Sequence, residues 1–130
     1  MKILLDTNFI MIPFTLKIDI FSLFREKDPR STFSILDRSI EELKYLTQKG
    51  TKKDSEAAKM AIQACQKLNI SIIPTEPGEE SFKNVDQVLV SVAEKKGFSV
   101  ATQDKELQKE LKKAGVAVYF LRQKKYIQEI

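Results

Sequence analysis

Ile3-Leu4-Leu5-Asp6-Thr7-Asn8 is the stretch that decides the fold of this 130-residue chain. Its three leading residues are too few and too uniformly apolar for an amphipathic helix, and such a run is typical of a central strand covered on both faces. Asp6 follows that strand directly. In open α/β sheets the carboxyl ends of the strands border the crevice in which ligands bind. The stretch therefore predicts a carboxylate at the functional edge of a sheet.

Asp6 also has a simpler interpretation when it is considered alone. Asp, Thr and Asn all favour turns and helix starts, so that Asp6 could merely cap the next helix. Thr7 and Asn8 could cap that helix too, or hold the Asp6 side chain in one conformation. A functional role for Asp6 therefore depends on which residues the fold brings beside it.

The remainder of the sequence predicts strands that alternate with helices. The later strands are predicted at residues 32–36, 70–73, 98–101 and 116–121, and helices at 18–26, 37–48, 54–68 and 85–96, with a last helix between Asp104 and Gly115. Pro13 is predicted to break the chain, residues 75–84 to form a loop, and the tail 122–130 to add a short helix. This order predicts a parallel sheet with helices on both sides, in one domain over residues 1–130.

Composition excludes several kinds of chemistry. The chain has no His and one Cys, which rules out His-containing triads, disulfides within the chain and a cysteine-based zinc site. Cys65 lies among alanines of a predicted helix and is expected to be buried. No apolar segment has the length of a signal peptide or a membrane span, so we expect a cytoplasmic protein without membrane contact. The net charge of +4 mildly favours polyanionic partners, although Lys- and Glu-rich composition also suits heat adaptation.

Acidic side chains recur where strands end and helices begin. They are Asp6 after the first strand, Asp37, Glu41 and Glu42 after the second, Asp86 at a helix start and Asp104 after the fourth strand. Carboxylates that converge on one sheet edge repel one another and shift their pKa values unless a cation neutralises them. Mg²⁺ and Mn²⁺ prefer oxygen ligands and can activate water for phosphodiester hydrolysis. The pattern therefore predicts a metal-dependent nuclease.

Each of the later acids also has a purely structural interpretation. Glu42 could belong to a capping box whose cap is Ser39. Asp86 could favour its helix start through the helix dipole, and Asp104 could simply cap its helix. However, it is less expected that all of these acids fall at one edge of the sheet by chance than that they share a site.

Four stretches of the chain resemble the motifs of the PIN-domain family of metal-dependent ribonucleases, in the same order. They are Leu5-Asp6-Thr7-Asn8, Ile40-Glu41-Glu42-Leu43, Val85-Asp86-Gln87-Val88-Leu89 with Ala93 after it, and Ala101-Thr102-Gln103-Asp104. The resemblance implies a three-layer α/β/α sandwich around a central parallel sheet of about five strands. It also implies a carboxylate pocket that binds Mg²⁺ or Mn²⁺.

The resemblance assigns roles to particular residues. The catalytic and metal-binding residues would be the four acids Asp6, Glu42, Asp86 and Asp104. Asn8 and Thr102 would orient the ligands or water without contacting the metal themselves. Asp37 and Glu41 are left as capping or solvent-facing residues.

Within the family, the chain is most similar to the branch that processes small-subunit ribosomal RNA. The features that carry this similarity are Asp6-Thr7-Asn8-Phe9 with Pro13 after it, Ile18-Asp19-Ile20-Phe21, and Tyr119-Phe120-Leu121-Arg122-Gln123. The implied substrate is RNA, as a ribosomal RNA precursor. Toxin ribonucleases of the VapC type share the four acids, so a toxin with an antitoxin partner remains an alternative. A ribosome-assembly factor that binds RNA but cuts little is another, and a homodimer is compatible with all three.

Basic residues form two clusters along the chain. Lys49, Lys52 and Lys53 lie near one predicted loop, and Lys109, Lys112, Lys113, Arg122, Lys124 and Lys125 lie near the end. They could contact phosphates or form solvated helix faces. No basic and aromatic pattern typical of a platform for stacking single-stranded bases stands out.

Overall fold

A computed structural model describes residues 1–76, 78 and 84–130 of the chain. Its strands are β1 (Lys2–Leu5), β2 (Thr32–Leu36), β3 (Ser71–Ile73), β4 (Ser99–Ala101), β5 (Val118–Arg122) and β6 (Tyr126–Glu129). Its helices are α1 (Thr7–Ile10), α2 (Ile12–Thr15), α3 (Ile20–Lys27), α4 (Asp37–Lys49), α5 (Lys52–Lys67), α6 (Val85–Lys96) and α7 (Lys105–Lys113). The predicted alternation of strands and helices is confirmed, and the predicted loop at 75–84 lies largely outside the described residues.

The strands form one sheet in the order β3-β2-β1-β4-β5-β6. Strands β1 to β5 run parallel, with Leu5 opposite Ile35 on one side and Ala101 on the other. The chain therefore builds the sheet outward from β1 to β3 and then returns to the other side of β1. This reversal between β1 and β4 is the topological switch point at which open α/β sheets form their ligand crevice.

The sheet separates two apolar cores, and the residues of β1 alternate between them. Ile3 and Leu5 point to the core that Phe24 of α3 and Ala61 of α5 complete. Leu4 points to the other core, which α6 and α7 cover. All three apolar residues of β1 are fully buried, as expected for a central strand with helices on both faces. The three-layer α/β/α sandwich implied by the family resemblance is confirmed.

Local signals set the helix ends that matter for the site. Asn84 caps α6 by accepting a hydrogen bond from the backbone N–H of Gln87. The same helix ends at Gly97, whose φ of 73° lies in the left-handed region that favours glycine. The cap residue lies two positions before Asp86, which stands in the first turn of α6.

The predicted helix in the tail is wrong, because residues 122–130 turn back as β6, antiparallel to β5. Gln123 and Lys124 have φ values of 54° and 57°, and the N–H of Lys125 donates to the carbonyl of Arg122 at 3.0 Å. Two central residues with positive φ make the type I′ turn that suits a hairpin. The turn lacks the Asn-Gly signal that usually marks it, so the sequence pattern did not indicate a sixth strand.

The break predicted at Pro13 is also wrong. Two short helices, α1 and α2, follow β1, and Pro13 lies within the first two positions of α2. At these positions a helix has no use for the backbone N–H that proline lacks. The chain therefore continues in helical turns directly after Asp6 in the sequence.

Among the described residues, no helix combines the length and the apolar character that crossing a membrane requires.

Candidate active site

Asp6 lies at the carboxyl end of β1, on the switch-point side, and only 7% of its surface is exposed. Its backbone N–H donates to the carbonyl of Ala101 at 3.1 Å, which extends the β1–β4 pairing by one residue. Its Oδ2 accepts a hydrogen bond from Oγ1 of Thr102 at 2.8 Å. Although Asp6 occupies the cap position of α1, its side chain makes no capping hydrogen bond there. The cap interpretation of Asp6 is therefore not supported.

Thr102 connects Asp6 to Asp104. Its side chain is completely buried, and its hydroxyl group donates to Asp6 while it accepts from the backbone N–H of Asp104 at 3.1 Å. Asp104 in turn accepts from the N–H groups of Glu106 and Leu107 through Oδ1, at 2.9 and 3.3 Å, and so caps α7. Asp104 is therefore both a helix cap and a carboxylate at the site, and the two interpretations coexist.

Glu42 reaches the same region from α4. Its Oε1 accepts a hydrogen bond of 2.8 Å from the hydroxyl group of Thr7, the buried residue that follows Asp6. Helix α4 begins at Asp37, so Ser39 lies inside the helix and the alternative of a capping box between Ser39 and Glu42 is wrong. Glu42 is held toward β1 by a contact between residues that are 35 positions apart.

Asp86 joins the other acids through its charge. It lies on the surface in the first turn of α6. Partial burial raises the pKa of Asp86, and the negative charge of Asp104 raises it further. Asp86 therefore shares the electrostatic field of the site, although its side chain is exposed, as are those of Glu42 and Asp104.

The buried position of Asp6 makes it the most perturbed acid of the site. Burial raises the pKa of Asp6 from 3.8 to about 6, against the hydrogen bond from Thr102, which lowers it. The charges of Asp86 and Glu42 raise it as well, and the Thr7 backbone lowers it. Burial and like charges that raise a carboxylate pKa together are typical of functional sites. The structure thus brings Asp6, Glu42 and Asp86 into one field, and hydrogen bonding adds Asp104.

The donor chemistry fits a hard divalent cation, but the geometry is not that of a closed cage. In residues 1–76, 78 and 84–130, no three Asp, Glu, His or Cys side chains are grouped tightly enough to surround a metal ion. Mg²⁺ often uses only one or two carboxylates and keeps several of its waters. The donor chemistry of the acids therefore suits a hard divalent cation that keeps several of its own waters.

The residues that hold the acids in place by hydrogen bonds differ in part from those expected. Thr102 lies where the resemblance implies, whereas Asn8 is exposed and its side chain has no hydrogen bond to the acids among the described contacts. Thr7, which was expected to cap the next helix or to hold Asp6, holds Glu42 instead. The polar residues Asp6 and Thr7 directly after an apolar strand indicated this part of the site. Only the tertiary position of α4 shows that the hydroxyl group of Thr7 binds Glu42.

Asp37 was expected to be a solvent-facing or capping residue, and it does accept a hydrogen bond from the N–H of Arg38 in the first turn of α4, but it also makes a longer-range contact. Its two carboxylate oxygens accept hydrogen bonds from the N–H and the hydroxyl group of Thr75, at 2.8 and 2.7 Å. Burial alone raises the pKa of Asp37, but the hydrogen bonds from Thr75 and the Arg38 N–H outweigh it and lower the pKa. Asp37 therefore joins the β2–α4 junction to the segment after β3, whereas Glu41 is exposed as expected.

The fold is a three-layer α/β/α domain, and four of its segments bring carboxylates to the switch point of the sheet. This combination defines a PIN-like domain. The family model described as a PIN-like domain matches residues 3–124. The chain therefore belongs to the PIN-like domain family, and the identification made from its motifs is confirmed.

Solved structures share this fold. The structure of the PIN domain endonuclease Utp24 is similar with a TM-score of 0.77 and 23% identity, over 98% of this chain and 90% of that one. A domain of a functionally unknown protein from Methanocaldococcus jannaschii DSM 2661 is similar with a TM-score of 0.64 and 21% identity, over 93% and 91% of the two chains. No curated protein sequence matches significantly.

Replacing Asp6 by Asn should stabilise the protein at neutral pH. Because the pKa of Asp6 is raised from 3.8 to about 6 in the folded state, the folded protein holds this proton more tightly than the unfolded chain does. The stability that the proton provides is complete below pH 4 and is lost as the pH rises through 6. At about 1.4 kcal/mol per pKa unit, the loss at pH 7 is up to about 3 kcal/mol.

Urea denaturation of the parent and Asp6→Asn proteins between pH 4 and pH 7.5 measures this effect. The difference in unfolding free energy should be smallest near pH 4 and should grow in favour of the variant toward pH 7. A difference that does not change with pH would show that Asp6 titrates normally.

Replacing Thr102 by Val should destabilise the protein by about 1 to 3 kcal/mol, because Asp6 and the N–H of Asp104 both lose a buried partner. It should also raise the pKa of Asp6 further, since the hydrogen bond from Thr102 lowers it. Urea denaturation and an NMR titration of the Asp6 carboxyl carbon measure the two effects. Thr102→Ser keeps the hydroxyl group and should restore both properties; equal behaviour of Val and Ser would exclude the role of the hydroxyl group.

Proposed function

We propose that this protein is a metal-dependent endoribonuclease that hydrolyses phosphodiester bonds in RNA. Its role would be the processing of ribosomal RNA precursors in the cytoplasm, as a single domain over residues 1–130. The observation that carries the proposal is the buried Asp6 at the β1–β4 switch point, charge-coupled to Glu42 and Asp86. Membership of the PIN-like family and the similarity to a PIN domain endonuclease support it.

Asp6, Glu42, Asp86 and Asp104 would hold Mg²⁺ or Mn²⁺. The bound ion would lower the pKa of an attacking water and neutralise charge on the phosphate. Thr102 and Thr7 keep Asp6 and Glu42 in place before the substrate arrives, which reduces the entropy lost when ligands are ordered. With a pKa of about 6, Asp6 can release and accept a proton near neutral pH, so its protonation and cation binding compete.

The substrate is proposed to be RNA on two grounds. The motifs resemble those of the branch that processes small-subunit ribosomal RNA, and the chain carries a net charge of +4 in spite of its acidic site. The alternative of an RNA-binding assembly factor that cuts little has one observation in its favour. The acids of the described residues form no closed metal cage, so the catalytic geometry depends on water-mediated ligation.

Removing either of two site carboxylates should abolish cleavage. Asp6→Asn and Glu42→Gln should each lower the rate of RNA cleavage by about 100-fold or more, because each removes charge from a site whose catalysis is electrostatic. The neighbouring acid Glu41 is exposed and serves as the matched control, so Glu41→Gln should cleave within about twofold of the parent. Single-turnover cleavage of a structured ribosomal RNA precursor fragment measures all three.

If Asp6→Asn is as stable as predicted above, its loss of activity cannot be ascribed to unfolding. Unchanged cleavage by both site variants would exclude the nuclease proposal. A parent protein that cuts no RNA with either metal, but binds RNA with or without Asp6, would favour the assembly factor. Growth arrest on expression alone, relieved by a co-expressed partner, would favour the toxin.

Mg²⁺ or Mn²⁺ should raise the melting temperature of the parent protein, since an ion that binds only the folded state stabilises it. At about 100 times the dissociation constant the gain is about 2.7 kcal/mol. Asp6→Asn and Glu42→Gln should shrink the shift, whereas Glu41→Gln should keep it. Differential scanning calorimetry with NaCl at matched ionic strength as the reference measures the shift, and an equal response of all variants would exclude these acids as ligands.

A further inference from the structure

A second groove lies beside the acidic site, between α7 and the β5–β6 hairpin. It has a volume of about 840 Å³. Its basic lining residues are Lys105, Lys109, Lys112, Lys113 and Arg122, and none of the described residues that line it is Asp or Glu. Phe120 contributes an aromatic ring to the same lining and is partly exposed. The groove therefore combines a strongly positive surface with an apolar one.

The unexpected sixth strand creates this groove. Helix α7 packs on the sheet through Leu107 and Leu111, which belong to the same core as Val118 of β5. Strand β6 widens the sheet beyond α7, with Gln128 paired opposite Phe120. The widened sheet forms the floor, and the outer side of α7 forms a wall that is about 13 Å long at 1.5 Å per residue.

Helix α7 carries opposite charges on its two sides. Lys105, Lys109 and Lys112 face the groove over β5 and β6. Glu106 and Glu110 instead line a different groove of about 510 Å³ that also contains Asp86. A polyanion is therefore attracted to one side of α7 and repelled from the other.

One end of the basic groove is lined by residues that flank Asp104. Gln103 and Lys105, the two neighbours of Asp104 in sequence, both line it. The side chain of Gln103 also donates to the carbonyl of Leu121 at 2.9 Å and accepts from its N–H at 2.6 Å, which ties β5 to the start of α7. The basic groove and the site acid Asp104 therefore adjoin each other at the start of α7.

Among the residues that the structure describes, the positive charges of the groove are only partly compensated by negative ones. Lys109 and Lys113 lie 3.9 Å from Glu106 and Glu110, in exposed pairs that contribute little binding energy. Lys112 donates to a main-chain oxygen of Ile130, the last residue of the sequence, and Arg122 donates to the side-chain oxygen of Gln128, at 2.9 Å each. With five basic side chains in the lining, net positive charge remains available to a ligand.

We propose that this groove binds the sugar–phosphate backbone of a single-stranded RNA segment adjoining the scissile bond, with Phe120 stacking against one of its bases. The identity of the polyanion rests on the proposed function. Basic grooves that follow a backbone, combined with an aromatic surface for unpaired bases, are the physical basis of single-strand binding. Base-paired RNA would bury its bases and leave Phe120 unused.

Two variants with equal net charge test the electrostatic part. The groove variant is Lys105→Gln, Lys109→Gln, Arg122→Gln, and the control is Lys27→Gln, Lys67→Gln, Lys95→Gln; each lowers the net charge from +4 to +1. The control lysines are exposed and lie near the ends of α3, α5 and α6, just before β2, β3 and β4 begin, and therefore at the opposite edge of the sheet from the acids.

Fluorescence anisotropy with a single-stranded RNA oligonucleotide in EDTA measures binding without cleavage. The groove variant should bind at least about 10-fold more weakly than the control at 0.1 M salt, and the slope of log affinity against log salt should fall by about 2, since each lost phosphate contact removes about 0.7. Equal affinities of the two variants would overturn the proposal and leave the groove to another partner, such as an acidic protein segment.

Phe120→Leu tests the single-strand part, because it keeps an apolar side chain but removes the ring. It should weaken binding of single-stranded RNA about 5-fold or more and leave binding of heparin, a polyanion without bases, unchanged. An equal effect on both ligands, or on neither, would overturn the assignment to single-stranded RNA. Failure of the nuclease proposal is distinguishable, since a parent that never cleaves can still bind RNA through this groove.

Discussion

The hydrogen bond from Thr102 to Asp6 joins the two strands between which the chain reverses its direction across the sheet. Asp6 is buried, so its carboxylate needs a donor, and Thr102 supplies one while it also accepts from the N–H of Asp104. A single hydroxyl group therefore sets the ends of β1 and β4 and the start of α7. Asp104 and Glu42 depend on this arrangement, because Asp104 is bonded to Thr102 and Glu42 to Thr7, the residue after Asp6.

The site is maintained at a cost in stability that the rest of the fold offsets. Burial and like charge raise the pKa of Asp6 to about 6, so that its ionised form is disfavoured at neutral pH. The burial of β1 offsets this loss of stability, since Ile3, Leu4 and Leu5 are fully buried between the two cores. A bound cation would relieve the repulsion between the negative charges of the site. The same repulsion that destabilises the site therefore favours the proposed metal binding.

Charge is also separated on a larger scale, across α7. The acids Glu106 and Glu110 extend the negative field of Asp86, whereas the lysines on the other side of the helix face the sheet widened by β6. An RNA strand would thus have one favourable direction in which to leave the acidic edge. In this interpretation the hairpin at Gln123 and Lys124 is a functional addition, since β6 supplies the floor on which the basic wall acts.

The sequence by itself determined the order of strands and helices, the family, and the four acids as candidates, because periodicity, turn residues and motifs are local. It could not show that Ser39 lies inside α4, that Thr7 reaches Glu42, or that Asp37 binds the segment after β3, because these contacts join distant parts of the chain. The turn before β6 was missed because it lacks glycine and asparagine. Only the tertiary structure decided the strand order, and with it the meeting of Asp6, Thr102 and the basic groove at one edge, because strand order depends on long-range packing.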